Sequence, residues 1–358
     1  AVAIQNDTTK QFHFFESTKK NRFHPPSYLK RNSIADFDKF TSHKKTVAFL
    51  VIKNDTIIYE NYAKKYKKES LLPSFSVSKS FVSALIGIAV QEGYIKNIDE
   101  PITNYLPQLK DENLKKVTIR NVLDMQAGFK FGENYFNPFS EVAKYYYGRD
   151  LKKFITKLKA KETPGKKFKY QSVNTQVLSF IIENATKKPI HQYLEEKLWQ
   201  PMQMEYPATW NVDDKGTIKA FCCINSTARD FAKLGRLYNQ HGNWNGQQLI
   251  SKNWVDSTLY FNKDLNDFAY SNHWWHTVNE LPYSDSALAH LTQPYTIKKN
   301  RKGNPTSIIF PSGDSFARGV LGQHIYINPK KNIIIVRMGK GFGFTKWRKL
   351  FRTIAREN

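Results

Sequence analysis

Cysteine is nearly missing from this chain. Two occur among 358 residues, Cys222 and Cys223, side by side. Neighbours in sequence rarely reach good disulfide geometry, so the expectation is two free thiols and no disulfide framework. Long apolar runs are missing too. No stretch reaches the roughly 20 apolar residues that a membrane span needs. There is no Pro/Gly/Ser-rich linker, no low-complexity tract and no internal repeat, which argues against a string of modules. Acidic residues are scarce: 31 Asp and Glu stand against 55 Lys and Arg, giving a net charge of +24. A balance this basic favours anionic neighbours. The basic residues are mostly lysines spread along the chain, with no recognisable nucleic-acid module, so they read as a solvated surface rather than a nucleic-acid interface. The chain opens at Ala1 with no methionine and no charged-then-apolar leader. That fits a removed leader or a trimmed chain, and an envelope or periplasmic location is favoured over the cytoplasm.

What is present is organised around Ser74-Phe75-Ser76-Val77-Ser78-Lys79-Ser80-Phe81. Ser76 and Lys79 are three apart at the start of an apolar stretch running to Val90, so on a helix they share one face. A serine hydroxyl is a poor nucleophile until a neighbour takes its proton. A lysine can do so once burial or positive surroundings lower its pKa. By itself the pattern is equally that of a serine capping a buried helix. Three other Ser-x-x-Lys triplets, Ser17–Lys20, Ser27–Lys30 and Ser42–Lys45, lie in polar, lysine-rich surroundings with no helix behind them.

Around this centre, residues 1–45 read as a polar, basic arm that is extended or short-helical. Residues 46–358 read as one domain. The β-rich runs 47–53 and 56–62 flank Asn54-Asp55 and predict a hairpin. The helix from Ser76 is apolar nearly all round and should be buried, with Gly93 placed to stop it. Residues 99–257 are mainly helical in pattern, with helices near 118–125, 151–158, 175–184, 190–198 and 226–240. Strands return at 307–310, 323–328 and 333–338, before a closing helix at 345–356. Strands at both ends and helices between predict an α+β protein. The ends pair into one antiparallel sheet lobe (46–70 and 300–358), the helical lobe covers 71–299, and a cleft lies at the seam.

Several motifs in order resemble the penicillin-recognising serine hydrolases: class C β-lactamases, D-alanyl-D-alanine peptidases, related esterases and the nylon-oligomer (6-aminohexanoate-dimer) hydrolases. Ser76-Val77-Ser78-Lys79 matches the first family element. Tyr170-Gln171-Ser172 stands where the class C branch has Tyr-x-Asn, and Ser172 in place of asparagine is a departure shared with the nylon-oligomer branch. Ala317-Arg318-Gly319-Val320 stands where Lys-Thr-Gly is usual. Only Gly319 survives there, which puts recognition of a β-lactam carboxylate in doubt. Thr118 to Gly128, Phe221-Cys222-Cys223 and Trp274-Trp275 add to the likeness.

The resemblance implies a catalytic set of Ser76, Lys79 and Tyr170, with the N–H groups of Ser76 and Val320 as oxyanion donors. Ser172, Tyr135, Gly319, Trp275 and Cys222 are the expected substrate contacts. It implies cleavage of a small amide or ester without metal or cofactor; the oligomeric state, monomer or homodimer, stays open. A carboxylesterase, a D-amino-acid peptidase, a weak β-lactamase and a catalytically silent binder of anionic envelope polymer are the alternatives. The His273-x-x-His276 pair, with Trp274-Trp275 between and no acidic partner, does not predict a zinc site.

Overall fold

The stretch Thr46–Lys53 (TVAFLVIK) lacks polar alternation because it is buried on both faces. In a computed structural model, which describes residues 1–17, 23–29, 33–259, 270–292, 295–343 and 345–358, it lies inside a sheet of nine strands. Its hairpin partner is Thr56–Tyr62. The turn residues Asn54 and Asp55 both take left-handed backbone (φ 49° and 57°), which suits the twist of a two-residue hairpin. On its other side runs Ile333–Gly339, the last strand of the chain. The sheet continues through Gln323–Asn328, Pro305–Gly319 and Trp274–Pro282 to Tyr270–Ser271, with Thr296–Lys299 also paired to Pro305–Gly319. All pairs are antiparallel except Phe15–Glu16, which lies parallel to Thr56–Tyr62 at the far edge.

One face of the sheet carries Phe49, Val51, Tyr326 and Ile335. It packs on the helices Ile34–His43 and Trp347–Glu357 through Phe37, Leu350, Phe351 and Ile354. The other face carries Leu50, Ile52, Ile325, Ile327 and Val336 and meets the helical part of the chain. The architecture is the α+β arrangement expected, but the lobe boundaries differ: Tyr270–Ser271, Trp274–Pro282 and Thr296–Lys299, placed in the helical lobe by the sequence reading, belong to the sheet, as does Phe15–Glu16 of the arm.

Several elements differ from the sequence reading. Val2–Ile4, in the basic arm, joins Ala208–Trp210, Ile224–Ser226 and Leu72–Pro73 in a second, four-stranded sheet. These strands are two or three residues long, too short for periodicity to register. The strand expected at 307–310 extends over Pro305–Gly319, straight through Pro311 and Gly313. Its register with Trp274–Pro282 shifts between His276 and Val278, a bulge that accommodates those two chain breakers. Lys20 and Lys30, from two of the three other Ser-x-x-Lys triplets, lie outside the described residues. Ser42 of the third ends a helix rather than starting one.

The free-thiol expectation is corrected: Cys222 and Cys223 are joined in a disulfide. Cys223 takes left-handed backbone (φ 74°), and this turn brings the adjacent sulfurs together.

Candidate active site

Ser74 fixes the entry to the central helix. Its N–H donates to the Ile224 carbonyl (2.7 Å), and its Oγ accepts from the Ile224 N–H (3.0 Å). Phe75 follows with φ 44°, a conformation that a bulky residue adopts only when its surroundings impose it. The chain then makes one 3-10 turn over Phe75–Val77 and enters the Ser78–Gln91 helix. Ser76 thus sits at a sharp corner, and helical spacing sets Lys79 beneath it.

Lys79 Nζ donates to Ser76 Oγ at 3.0 Å and to the Phe221 carbonyl at 2.6 Å, and lies 3.4 Å from Ser172 Oγ. The side chain is buried, and among the described residues no carboxylate lies within ion-pair distance of it. Desolvation therefore pushes its pKa down to about 7, with Glu133 acting weakly in the opposite sense. His273, close behind, is held neutral by burial and by the nearby Lys79 charge, its pKa pushed down to about 3. Its ring contacts the Leu123 carbonyl and Thr175 Oγ1 at 2.8 and 3.1 Å.

Tyr170 arrives from the loop before the Ser172–Thr186 helix and faces the same cavity as Ser76. Burial raises its pKa, so it is a phenol at neutral pH. Its ring stacks on Trp275 (5.6 Å, 24°), and the Lys79 ammonium lies 5.5 Å from its centroid. The loop is pinned by Met125, whose carbonyl accepts from the Lys169 N–H at 2.8 Å.

Opposite, the Pro305–Gly319 strand ends beside Ser74. A Cβ on Gly319 would sit 2.6 Å from the Ser74 carbonyl oxygen and 3.1 Å from Phe75 Cβ, so only glycine allows this approach. Val320 opens the next turn, in which Leu321 is left-handed (φ 62°). Buried Arg337 braces that turn from below, donating to the Gly322 carbonyl at 2.6 Å. Ser76, Tyr135, Tyr170, Trp275, Gly319 and Val320 line one cavity of about 280 Å³, together with Arg318 and Phe342.

Residues 34–357 match the beta-lactamase family, nearly the whole chain. The chain belongs to the beta-lactamase family. It is a serine hydrolase of that family, whose members act on amide or ester bonds. It is 27% identical over 327 residues to the 6-aminohexanoate-dimer hydrolase of Paenarthrobacter ureafaciens, an alignment covering 85% of this chain and 75% of that one. Among solved structures, a candidate 6-aminohexanoate-dimer hydrolase from Bacillus anthracis superposes with a TM-score of 0.79 at 21% identity, covering 99% of this chain and 90% of the other. A class C beta-lactamase superposes at 0.62 with 16% identity, covering 89% and 93%. Both share its fold.

Of the residues singled out from the sequence, the beta-lactamase fold brings Ser76, Lys79, Tyr170 and Ser172 together and lines the cavity with Tyr135, Trp275, Gly319 and Val320. It does not bring Cys222 there. That residue is fully buried and disulfide-bonded, and its carbonyl accepts from Trp210 Nε1 at 2.8 Å. His273 and His276 are buried residues with separate hydroxyl and carbonyl partners. Among the described residues no group of acidic, histidine or cysteine side chains is arranged to hold a metal. No helix there is long and apolar enough to cross a membrane.

Three cavity or near-cavity residues escaped the sequence reading. Glu133 accepts from the Ser172 N–H (2.8 Å), Ser172 Oγ (2.5 Å) and the Tyr135 hydroxyl (2.6 Å), tying the Tyr135 loop to the helix that bears Ser172. Its signal was its position two residues before Tyr135. Arg318 and Phe342 carried none beyond their place beside Gly319 and in Gly341-Phe342-Gly343.

Proposed function

We propose that this protein hydrolyses a small amide or ester through an acyl-enzyme on Ser76, with Lys79 and Tyr170 carrying the protons. The observation that carries the reading is the buried Lys79 amine, 3.0 Å from Ser76 Oγ, with a pKa near 7. Neutral Lys79 takes the Ser76 proton as Oγ attacks the substrate carbonyl. The developing oxyanion is held by the N–H groups of Ser76 and Val320, donors typically worth about 3 kcal/mol each. Tyr170 delivers its phenolic proton to the leaving nitrogen or oxygen and is reprotonated from the Lys79 ammonium. Water then attacks the acyl-enzyme, giving up its proton along the same path and releasing Ser76. Tyr135, Trp275 and Gly319 form the walls that hold the substrate. Ser172, fixed by Glu133, orients the amine where the class C branch carries an asparagine.

The relative from Paenarthrobacter ureafaciens is a hydrolase of a linear amide dimer, which favours a linear amide over a β-lactam. The missing lysine of Lys-Thr-Gly, replaced here by Ala317, points the same way. The test combines labelling and turnover. A fluorophosphonate should leave one adduct, on Ser76, in folded protein. A p-nitrophenyl ester, nitrocefin and a linear amide dimer, assayed side by side, should rank amide or ester above nitrocefin. Folded protein with no adduct on Ser76 and no turnover of any of the three overturns the reading.

A further inference from the structure

Beside the cleft lies a larger cavity, of about 760 Å³, between the Trp347–Glu357 helix and the edge of the sheet. The two cavities share Arg318 and Phe342 as walls, so the second lies next to the space at Ser76. That volume is in the range of small-molecule sites. Six of its lining residues are cationic: Arg318, Lys346, Arg348, Lys349, Arg352 and Arg356. None is acidic. Among the described residues, Arg318, Lys346, Arg348 and Arg356 have no carboxylate within 4 Å. Asp314 lies 3.8 Å from Arg352, but its oxygens are already taken by Tyr326 and Asn328 at 2.6 Å each. Like charges held around one void repel, and an anion inside reverses the sign of that energy. The cations are also placed. Arg352 is anchored on the Val278 carbonyl at 3.0 Å, Arg348 lies over the Phe316 ring at 5.9 Å, and Arg318 lies over Phe342 at 5.8 Å. Guanidinium forks of this kind match phosphate and carboxylate oxygens.

We propose that this cavity is a subsite for a polyanionic part of the substrate, so that the acyl group cut at Ser76 is carried on a chain bearing several phosphate or carboxylate groups. The word substrate rests on the reading of Ser76 given above; the anion site itself does not.

The first experiment avoids catalysis. Ser76→Ala protein is titrated with sodium tripolyphosphate and with tricarballylate in a calorimeter at low salt. One-to-one binding is expected, weakening at least about tenfold in an added Arg348→Gln/Arg356→Gln pair, and weakening with ionic strength. It should stay unchanged in a control with the same loss of charge outside the cavity, Lys187→Gln/Lys215→Gln. Preference for tripolyphosphate identifies phosphate as the group, and preference for tricarballylate identifies carboxylate; either supports the proposal. The second experiment compares p-nitrophenyl esters of equal length ending in methyl, carboxylate or phosphate. The ratio of kcat/KM for an anionic over the neutral ester should exceed about ten in the wild type and collapse in the Arg348→Gln/Arg356→Gln protein. Absence of one-to-one binding, or binding that the cavity pair and the control pair weaken equally, overturns the subsite. Binding as expected with no ester cleaved leaves the subsite standing and removes the acyl-transfer reading instead.

Discussion

Replacing Lys79 with methionine (Lys79→Met) keeps most of its volume and removes the amine. In the folded protein that amine titrates near pH 7, and in the unfolded chain at its ordinary 10.5. Between those values the unfolded chain holds a proton that the folded protein has released. Stability therefore rises with pH across this window, and the penalty is fullest below pH 7. With about 1.4 kcal/mol per pKa unit, burial of Lys79 costs about 4 kcal/mol at pH 7 and about 2 kcal/mol at pH 9. The methionine variant escapes this cost but loses the hydrogen bonds to Ser76 and Phe221, about 1 kcal/mol each, and leaves the Phe221 carbonyl without that donor. The variant should thus be about as stable as the wild type at pH 7, or up to about 2 kcal/mol more stable. By pH 9 the balance should shift by about 2 kcal/mol toward the wild type. Urea unfolding of both proteins at pH 7 and 9 measures this, and taking the difference cancels every other titration. A difference that does not change between the two pH values refutes the claim that a desolvated lysine titrates near neutrality here.

The same pKa sets a kinetic expectation. Acylation of Ser76 by an activated ester should rise about tenfold from pH 6 to pH 8, as neutral Lys79 grows from roughly a tenth to nine-tenths of the population, and then level off; a stopped-flow pH profile flat over that range contradicts it. Tyr170→Phe should lower kcat by about a hundredfold or more while leaving Ser76 in place, read from steady-state kinetics together with the melting temperature. Gly319→Ala drives a methyl against the Ser74 carbonyl, so it should cost about 1–3 kcal/mol of stability and most of the activity, measured by urea unfolding and ester turnover. Glu133→Gln keeps an acceptor but removes the charge that favours the Lys79 ammonium, so the midpoint of the pH profile should move down; an unmoved or raised midpoint counts against it.

Much of this was written in one dimension. The hairpin, the core helix and the last two strands are long apolar runs with punctuated ends, and the structure follows them closely. Ser76 and Lys79 are three apart on one turn, a pattern that by itself equally fits a helix cap; the family resemblance singled them out and supplied Tyr170. Strands of two or three residues, as in the small second sheet, carry too few side chains to show a period. The strand expected at 307–310 runs on through Pro311 and Gly313 because it bulges there against its partner, a pairing that the local sequence does not show. Glu133 meets Ser172 only because two loops fold together, and no spacing rule spans that distance. The charge of +24 looked evenly spread along the chain, yet five of the six cations around the larger void come from 346–356, and folding adds Arg318 to them.

The pairing of Thr46–Lys53 with Ile333–Gly339 also bears on how the protein is made. Lys53 waits for Ile333, which leaves the ribosome 280 residues later. At ordinary synthesis rates that is about 15 to 60 seconds. During that interval the nascent hairpin presents one apolar edge with an unfilled row of amides and carbonyls, the kind of surface on which chains stick to one another. A transcript cut short before the final strand would leave that edge permanently open, so loss of the C-terminus should yield aggregate rather than a smaller working protein.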